Sequence, residues 1–192
     1  MEEYINEKQM FEMCKIDPPD NILIFDNVLP ENICKSIINE IEHTPLVDEK
    51  EIIPNTNMKC KTIKKHVEDV KYSEYLHKIF TTIGSVMVKR YGVPISGCIK
   101  PKFRKIYGNT RMHVDGIVHS TQNPEIKRSL SIIVALNSDY DGGELVFPVQ
   151  NRKIKLKMGQ VIVFPPYWTH PHYTNDLKND TFRYTLNTWY HE

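Results

Sequence analysis

Two imidazoles and one carboxylate can grip a divalent metal, and Arg111-Met112-His113-Val114-Asp115-Gly116 supplies one donor of each kind. In a strand, alternation puts His113 and Asp115 on the same face. A third donor must come from elsewhere, and Thr169-His170-Pro171-His172-Tyr173 offers two histidines. If that stretch is extended, His170 and His172 share a face, so alternation leaves the choice between them open. Two histidines and a carboxylate on one side of an octahedral ion leave the other side open, which suits non-haem Fe(II) and reaction with O2. Four thiolates or three histidines would suggest zinc, and an all-oxygen set magnesium or calcium. A His-x-Asp pair alone is weak evidence, because a surface strand with a solvated aspartate reads the same.

Arg183 strengthens the reading. It lies in Thr181-Phe182-Arg183-Tyr184-Thr185-Leu186-Asn187-Thr188-Trp189-Tyr190, which reads as a strand with Arg183, Thr185, Asn187 and Trp189 on one face. A cationic, hydroxylic and aromatic face suits a ligand pocket, and a guanidinium can hold a carboxylate through two parallel hydrogen bonds. An isolated strand arginine more often pairs with a surface acid. The metal donors upstream favour the pocket.

The elements that must position these residues divide the chain in two. The sequence has 192 residues and no Gly/Ser linker, so a single domain is expected over 1–192. Residues 1–94 would give an N-terminal strand and supporting helices, and 95–192 the catalytic core. Asn21 to Asp26 reads as a strand, and Pro30-Glu31-Asn32 opens a helix with Ile33, Ile37, Ile38 and Ile41. Pro45 to Glu68 is polar and irregular, a loop with room for one edge strand. Tyr72 to Tyr91 carries Leu76, Ile79, Phe80, Ile83 and Val86 at helical spacing, ended by Gly92 and Pro94. From Ile99 the pattern changes to short strands: Ile99–Tyr107, Ser129–Leu136, Glu144–Phe147, Lys153–Leu156, Gln160–Phe164 and Thr181–Tyr190. Turns at Asp139-Tyr140-Asp141-Gly142-Gly143 and Lys157-Met158-Gly159 punctuate them. The expected fold is mainly β with α: a double-stranded β-helix (a cupin-like jelly roll) with the N-terminal helices packed on one sheet.

Composition removes several classes of function. Lys and Arg total 25 against 24 Asp and Glu, a formal charge of +1, so no overall field draws nucleic acid or anionic membrane. The lysines between Lys59 and Lys65 read as a solvated loop. Cys14, Cys34, Cys60 and Cys98 form no C-x-x-C pair and no disulfide framework, which favours reduced or buried thiols. Met1-Glu2-Glu3-Tyr4-Ile5 has neither the basic start nor the apolar run of a secretory signal, and no apolar run has spanning length. A cytoplasmic or otherwise intracellular protein is expected, with no membrane partner.

From roughly residue 95 to residue 190, the chain resembles the prolyl 4-hydroxylase branch of the Fe(II)/2-oxoglutarate-dependent dioxygenases. Tyr107-Gly108 precedes His113-Val114-Asp115-Gly116, and Arg128-Ser129-Leu130-Ser131 leads to Leu136-Asn137. Tyr140-Asp141-Gly142-Gly143-Glu144-Leu145-Val146-Phe147-Pro148 and Gly159-Gln160-Val161-Ile162-Val163-Phe164-Pro165 follow, then the distal histidine, Arg183-Tyr184 and Trp189. The order of these motifs is as informative as the residues. Asn21 to Glu42, with Asp26-Asn27-Val28-Leu29-Pro30 before the helix, also looks like the start of that family's domain.

The resemblance implies Fe(II) as the metal, 2-oxoglutarate and O2 as cosubstrates, and ascorbate as a possible reductant. It implies His113, Asp115 and His172 as iron ligands, with His170 left to hydrogen-bond beside them. It implies Arg183 as the partner of the distal carboxylate of 2-oxoglutarate, and succinate and CO2 as products. Aspartate at 115, where related halogenases have a small residue, implies hydroxylation over halogenation. Family members often have tyrosine just before the Leu-Asn pair, helping to bind that carboxylate, where this chain has Ala135. Tyr107 and Thr185 are candidates to replace its hydroxyl, Asn187 a weaker one. A proline-containing protein or peptide is the implied substrate, with Arg111, Tyr173 and Trp189 as candidate contacts. Each of these also reads as an ordinary strand residue. Hydroxylation of another protein side chain or a nucleobase, or a metal-containing module without turnover, are the competing functions.

Overall fold

Ile33, Ile37 and Ile41 recur at the spacing that stacks side chains on one helical face, and all three are buried. The computed structural model describes residues 6–16, 20–48, 59–63, 69–116 and 126–192. Along the chain, α1 (Glu7–Met13) and β1 (Cys14–Ile16) lead to β2 (Leu23–Phe25), α2 (Glu31–His43), β3 (Leu46–Asp48), β4 (Lys59–Ile63) and α3 (Ser73–Tyr91). Strands β5 (Gly97–Cys98), β6 (Lys102–Tyr107), β7 (Thr110–His113), β8 (Arg128–Ala135) and β9 (Asp141–Gly142) come next. The last are β10 (Leu145–Phe147), β11 (Arg152–Ile154), β12 (Val161–Phe164), β13 (His172–Thr174), β14 (Leu177–Lys178) and β15 (Arg183–His191).

The large sheet has nine strands in the order β1-β2-β12-β8-β15-β6-β4-β3, with β5 also paired to β15. The smaller sheet has four, in the order β11-β10-β13-β7, and β9 pairs with β14. Their pairings are antiparallel, and the architecture is a jelly roll. Alternation divides the large sheet into two surfaces. Phe103, Leu130, Ile132, Val134, Val161, Val163 and Leu186 pack with the apolar stripes of α2 and α3. Ile162 and Phe164 face the smaller sheet instead, joining Leu145, Phe147 and Ile154 in a second core. Burying each of these large side chains contributes roughly 1.5–3 kcal/mol. The long helix α3 ends where Gly92 takes a left-handed φ of 63°, its N–H returning to the carbonyls of Met87 and Val88.

Four features depart from the sequence reading. The segment expected to hold one edge strand holds two, β3 and β4, paired from Leu46↔Ile63 to Asp48↔Lys61 and extending the large sheet beyond β6. The expected Ile99–Tyr107 strand starts only at Lys102, as β6, while β5 lies before it and Ile99 between them donates its N–H to the Trp189 carbonyl. The sequence reading gave no place to α1 or β1. His170 lies in a turn before β13, its N–H bonded to the Tyr167 carbonyl at 2.9 Å. Among the described residues, no helix is long and apolar enough to cross a membrane.

Candidate active site

Strands β7 and β13 are neighbours in the smaller sheet, and their register sets His172 opposite His113. The two imidazole centroids are 4.3 Å apart. Asp115, just beyond β7, closes the group: its Oδ1 lies 3.4 Å from His113 Nε2 and its Oδ2 3.9 Å from His172 Nε2. One ligand atom from each of His113, Asp115 and His172 falls within 4.8 Å of the others.

The hydrogen bonds around these side chains fix which atoms point inward. His113 Nδ1 bonds the Arg111 carbonyl at 2.8 Å, and His172 Nδ1 bonds the His170 carbonyl at 3.1 Å. A carbonyl only accepts, so each Nδ1 carries the proton and each Nε2 presents a lone pair. Asp115 Oδ2 accepts from Ser131 Oγ at 2.7 Å and from Trp189 Nε1 at 3.1 Å. Oδ1 takes neither bond and turns toward His113. Three acceptors aimed at one point repel unless a cation lies among them, so the donor set fits Fe(II).

Burial works against the charged Asp115 carboxylate, yet His113, His172 and the Ser131 hydroxyl outweigh it and hold the group far below the ordinary carboxylate range. Burial lowers the pKa of His172, with Asp115 opposing, which favours the neutral imidazole that ligates metals. Arg128 steadies the aspartate from behind. Its Nη1 donates to the Asp115 carbonyl at 2.7 Å and its guanidinium lies 3.8 Å from the Trp189 ring centroid.

The iron donors and Arg183 wall one cavity between the sheets. Thr185, Asn187 and Trp189 line it from β15, as alternation expects. Arg183 is fixed at both ends. Its Nη1 donates to the Gly143 carbonyl at 2.7 Å, while Asn137 donates to the Phe182 carbonyl and accepts from the Tyr184 N–H, bracketing Arg183 in the chain. Gly143 sits at a φ of 65°, a conformation that favours glycine.

The other candidates fall in different places. Ala135 lines the cavity, paired with Thr185 across β8 and β15. Thr185 donates its hydroxyl proton to Asn187 Oδ1 at 2.6 Å. Tyr107 does not line the cavity; Arg104 and Ile106 do, and Tyr107 packs edge-on against Phe182. Arg111 is exposed and shares an open groove with Tyr173 along the outside of β7 and β13. His170 is buried but turned away from the metal donors, bonding the Asp20 carbonyl through Nε2 at 2.7 Å. The sequence reading gave no role to Ser131, Arg128, Asn137 or Tyr140. For Ser131 a signal existed: a serine alternating with Leu130, Ile132 and Val134 must occupy the opposite face of that strand.

Residues 103–191 match the model of the 2OG-Fe(II) oxygenase superfamily. Over that span the chain is similar to the 2OG-Fe(II) oxygenase superfamily. The chain is 30% identical over 106 residues to a PKHD-type hydroxylase of Prochlorococcus marinus. That match takes in 52% of this chain and 45% of the relative, so the chain spans less than half of the relative's length. Two solved structures superpose over most of the chain. The viral collagen prolyl hydroxylase of Paramecium Bursaria Chlorella virus-1, solved with 2OG, gives a TM-score of 0.67 at 19% identity, covering 92% of this chain and 99% of that one. A prolyl hydroxylase of Trichoplax adhaerens, in complex with a hypoxia inducible factor oxygen degradation domain peptide fragment, gives 0.66 at 15% identity, covering 90% and 84%. The family's description joins Fe(II) to 2-oxoglutarate, a pair that the His113, Asp115 and His172 donors and the Arg183 guanidinium suit.

Proposed function

We propose that the protein is an Fe(II)- and 2-oxoglutarate-dependent hydroxylase acting on a protein or peptide, with peptidyl proline as the hydroxylated residue. The observation that carries the reading is the single cavity walled by His113, Asp115, His172 and Arg183. A metal triad alone suits many reactions; a triad that shares its cavity with a guanidinium suits a metal-chelating acid with a second carboxylate at its far end.

In this reading His113 Nε2, Asp115 Oδ1 and His172 Nε2 hold Fe(II), and Arg183 holds the distal carboxylate of 2-oxoglutarate. Bound together, these groups supply the oxidative decarboxylation that releases succinate and CO2 and places one oxygen atom of O2 on a substrate carbon. The chain's own residues supply the geometry. The Arg111 and His170 carbonyls keep each ligating imidazole in the tautomer that leaves Nε2 free. Ser131 and Trp189 hold one oxygen of Asp115, so the other stays aimed at the metal. Gly143 and Asn137 keep Arg183 at the far end. The peptide substrate is supported by the structural relatives, both prolyl hydroxylases and one in complex with a peptide fragment. The groove lined by Arg111 and Tyr173 runs along β7, the strand that carries His113.

The test is mass spectrometry of proline-containing peptides after incubation with the protein, Fe(II), 2-oxoglutarate and O2. One oxygen gained on proline, with a matching amount of succinate, is the expected result. Oxygen on lysine or on a nucleobase would overturn the substrate assignment. Tight binding of Fe(II) and 2-oxoglutarate with no oxygen transferred to any protein or nucleic acid would make the protein a binding module.

A further inference from the structure

One polar group in the cavity wall has no part in the arrangement above: the hydroxyl of Tyr140. We infer that Tyr140, from the loop between β8 and β9, is the second group that holds the distal carboxylate of the cosubstrate beside Arg183, in place of the tyrosine absent at Ala135. The inference rests on the proposed reading of the cavity as a 2-oxoglutarate site.

Tyr140 lines the same cavity as Arg183 and Ala135, and only 3% of it is exposed. Two contacts hold it there. Its ring packs beside Gly143, where an added Cβ would lie 3.3 Å from ring atom Cε2, and the Gly143 carbonyl is the acceptor of the Arg183 guanidinium. On the other side, Lys155 Nζ lies 4.9 Å from the ring centroid and donates to the Tyr140 carbonyl at 2.5 Å. The hydroxyl itself has no hydrogen-bond partner among the described residues. A phenol buried this deeply ordinarily finds one, and a ligand's carboxylate is the partner that matches a neutral donor next to a guanidinium. Burial pushes the Tyr140 hydroxyl above its ordinary value of 10.0, with the Arg183 charge opposing, so at neutral pH it keeps the proton it would donate.

The other hydroxyls fit less well. Thr185 already gives its proton to Asn187, the Thr110 and Thr174 hydroxyls bond one another at 2.9 Å, and Tyr107 packs on Phe182 outside the cavity. Ala135 makes the substitution sterically reasonable. A tyrosine there would project into the cavity that the Tyr140 ring reaches from the adjoining loop.

The experiment is an anaerobic titration of the Fe(II)-loaded protein, following the visible charge-transfer band that a chelated 2-oxo acid gives. Two ligands are compared: 2-oxoglutarate, and 2-oxobutyrate, which has the chelating end but no distal carboxylate. Tyr140→Phe should weaken 2-oxoglutarate about tenfold, the low end for a hydrogen bond to a charged group, and leave 2-oxobutyrate unchanged. Unaltered 2-oxoglutarate affinity overturns the inference, as does equal weakening of both ligands, which would mean general damage to the cavity. Far-UV circular dichroism and the thermal midpoint of Tyr140→Phe establish that folded protein is being titrated. If the unsubstituted protein gives no band with either ligand, the proposed function falls and this inference with it. If the band forms and only the Tyr140→Phe comparison fails, the proposed function stands.

Discussion

On β8, Leu130, Ile132 and Val134 turn toward α2 and α3, whereas Ser131, Ile133 and Ala135 turn toward the smaller sheet. Strand β15 repeats the division, with Leu186 and Tyr190 on the helix side and Arg183, Thr185, Asn187 and Trp189 on the cavity side. The helix side is apolar and closely packed, and gives the sheet its stability. The cavity side carries hydroxyls, an amide, an indole and a guanidinium, each bonded to another group in or beside the site. One strand thus serves two purposes separated by a single residue step, and substitutions at adjacent positions should report on different properties.

That separation can be broken or sharpened by five measurements. His172→Ala should remove the Fe(II)–2-oxoglutarate band and lower turnover at least about a hundredfold, beyond the range for groups that only support a ligand. His170→Ala should keep the band, and if the two variants exchange behaviours the ligand assignment is wrong. On the helix side, Ile132→Ala should cost about 2–5 kcal/mol in denaturant unfolding. The fraction still folded should bind 2-oxoglutarate normally, and a changed affinity would show that the two faces are coupled. Arg183→Ala should weaken 2-oxoglutarate by about 2–3 kcal/mol, the upper range for a charged hydrogen bond. An unchanged dependence of turnover on 2-oxoglutarate concentration would remove Arg183 from its role. Ser131→Ala, which removes a donor to Asp115, should weaken Fe(II) about tenfold, and an unaltered metal titration would mean that Trp189 suffices.

The smallest effect concerns a residue outside both faces. The Glu144 carboxyl lies at about 2 instead of 4.5, mainly because Asn175 donates to it, with its own backbone N–H and Lys153 adding to the effect. A folded-state value below the unfolded one stabilises the protein above pH 4.5, and that contribution fades as pH falls from 4.5 toward 2. Glu144→Gln should flatten acid unfolding in that window and leave neutral-pH activity alone. An identical acid limb would show that the interaction contributes nothing in solution.

The periodic elements were the legible part of the sequence. Helices α2 and α3 follow from their isoleucines and leucines, and the alternation of β15 by itself places Arg183, Thr185, Asn187 and Trp189 on one face. What escaped depended on tertiary context. Strand β4 reads Lys59-Cys60-Lys61-Thr62-Ile63, a polar pattern resembling a loop, and it is its backbone pairing with β3 and β6 that makes it a strand. Alternation alone leaves His172 and His170 equal, and the choice of His172 rests on the family resemblance, because nothing in the spacing announces the turn that takes His170 out of the strand. Tyr107 and Tyr140 both lie near glycines in the motifs, and only the alternation of β6, with Arg104 and Ile106 inward, separates them. Ser131 was readable in principle as a polar interruption, but its partner Asp115 lies across a connection that periodicity does not describe.

The pairing of β7 with β13 has a bearing on how the protein is made. His113 and Asp115 leave the ribosome well before His172 and Arg183, and His172 meets its partners only when β13 docks beside β7. A nascent chain that has not reached β13 offers iron two donors in place of three and has no guanidinium to hold a cosubstrate. A complete set of three donors therefore exists only once β13 has been made and has docked beside β7.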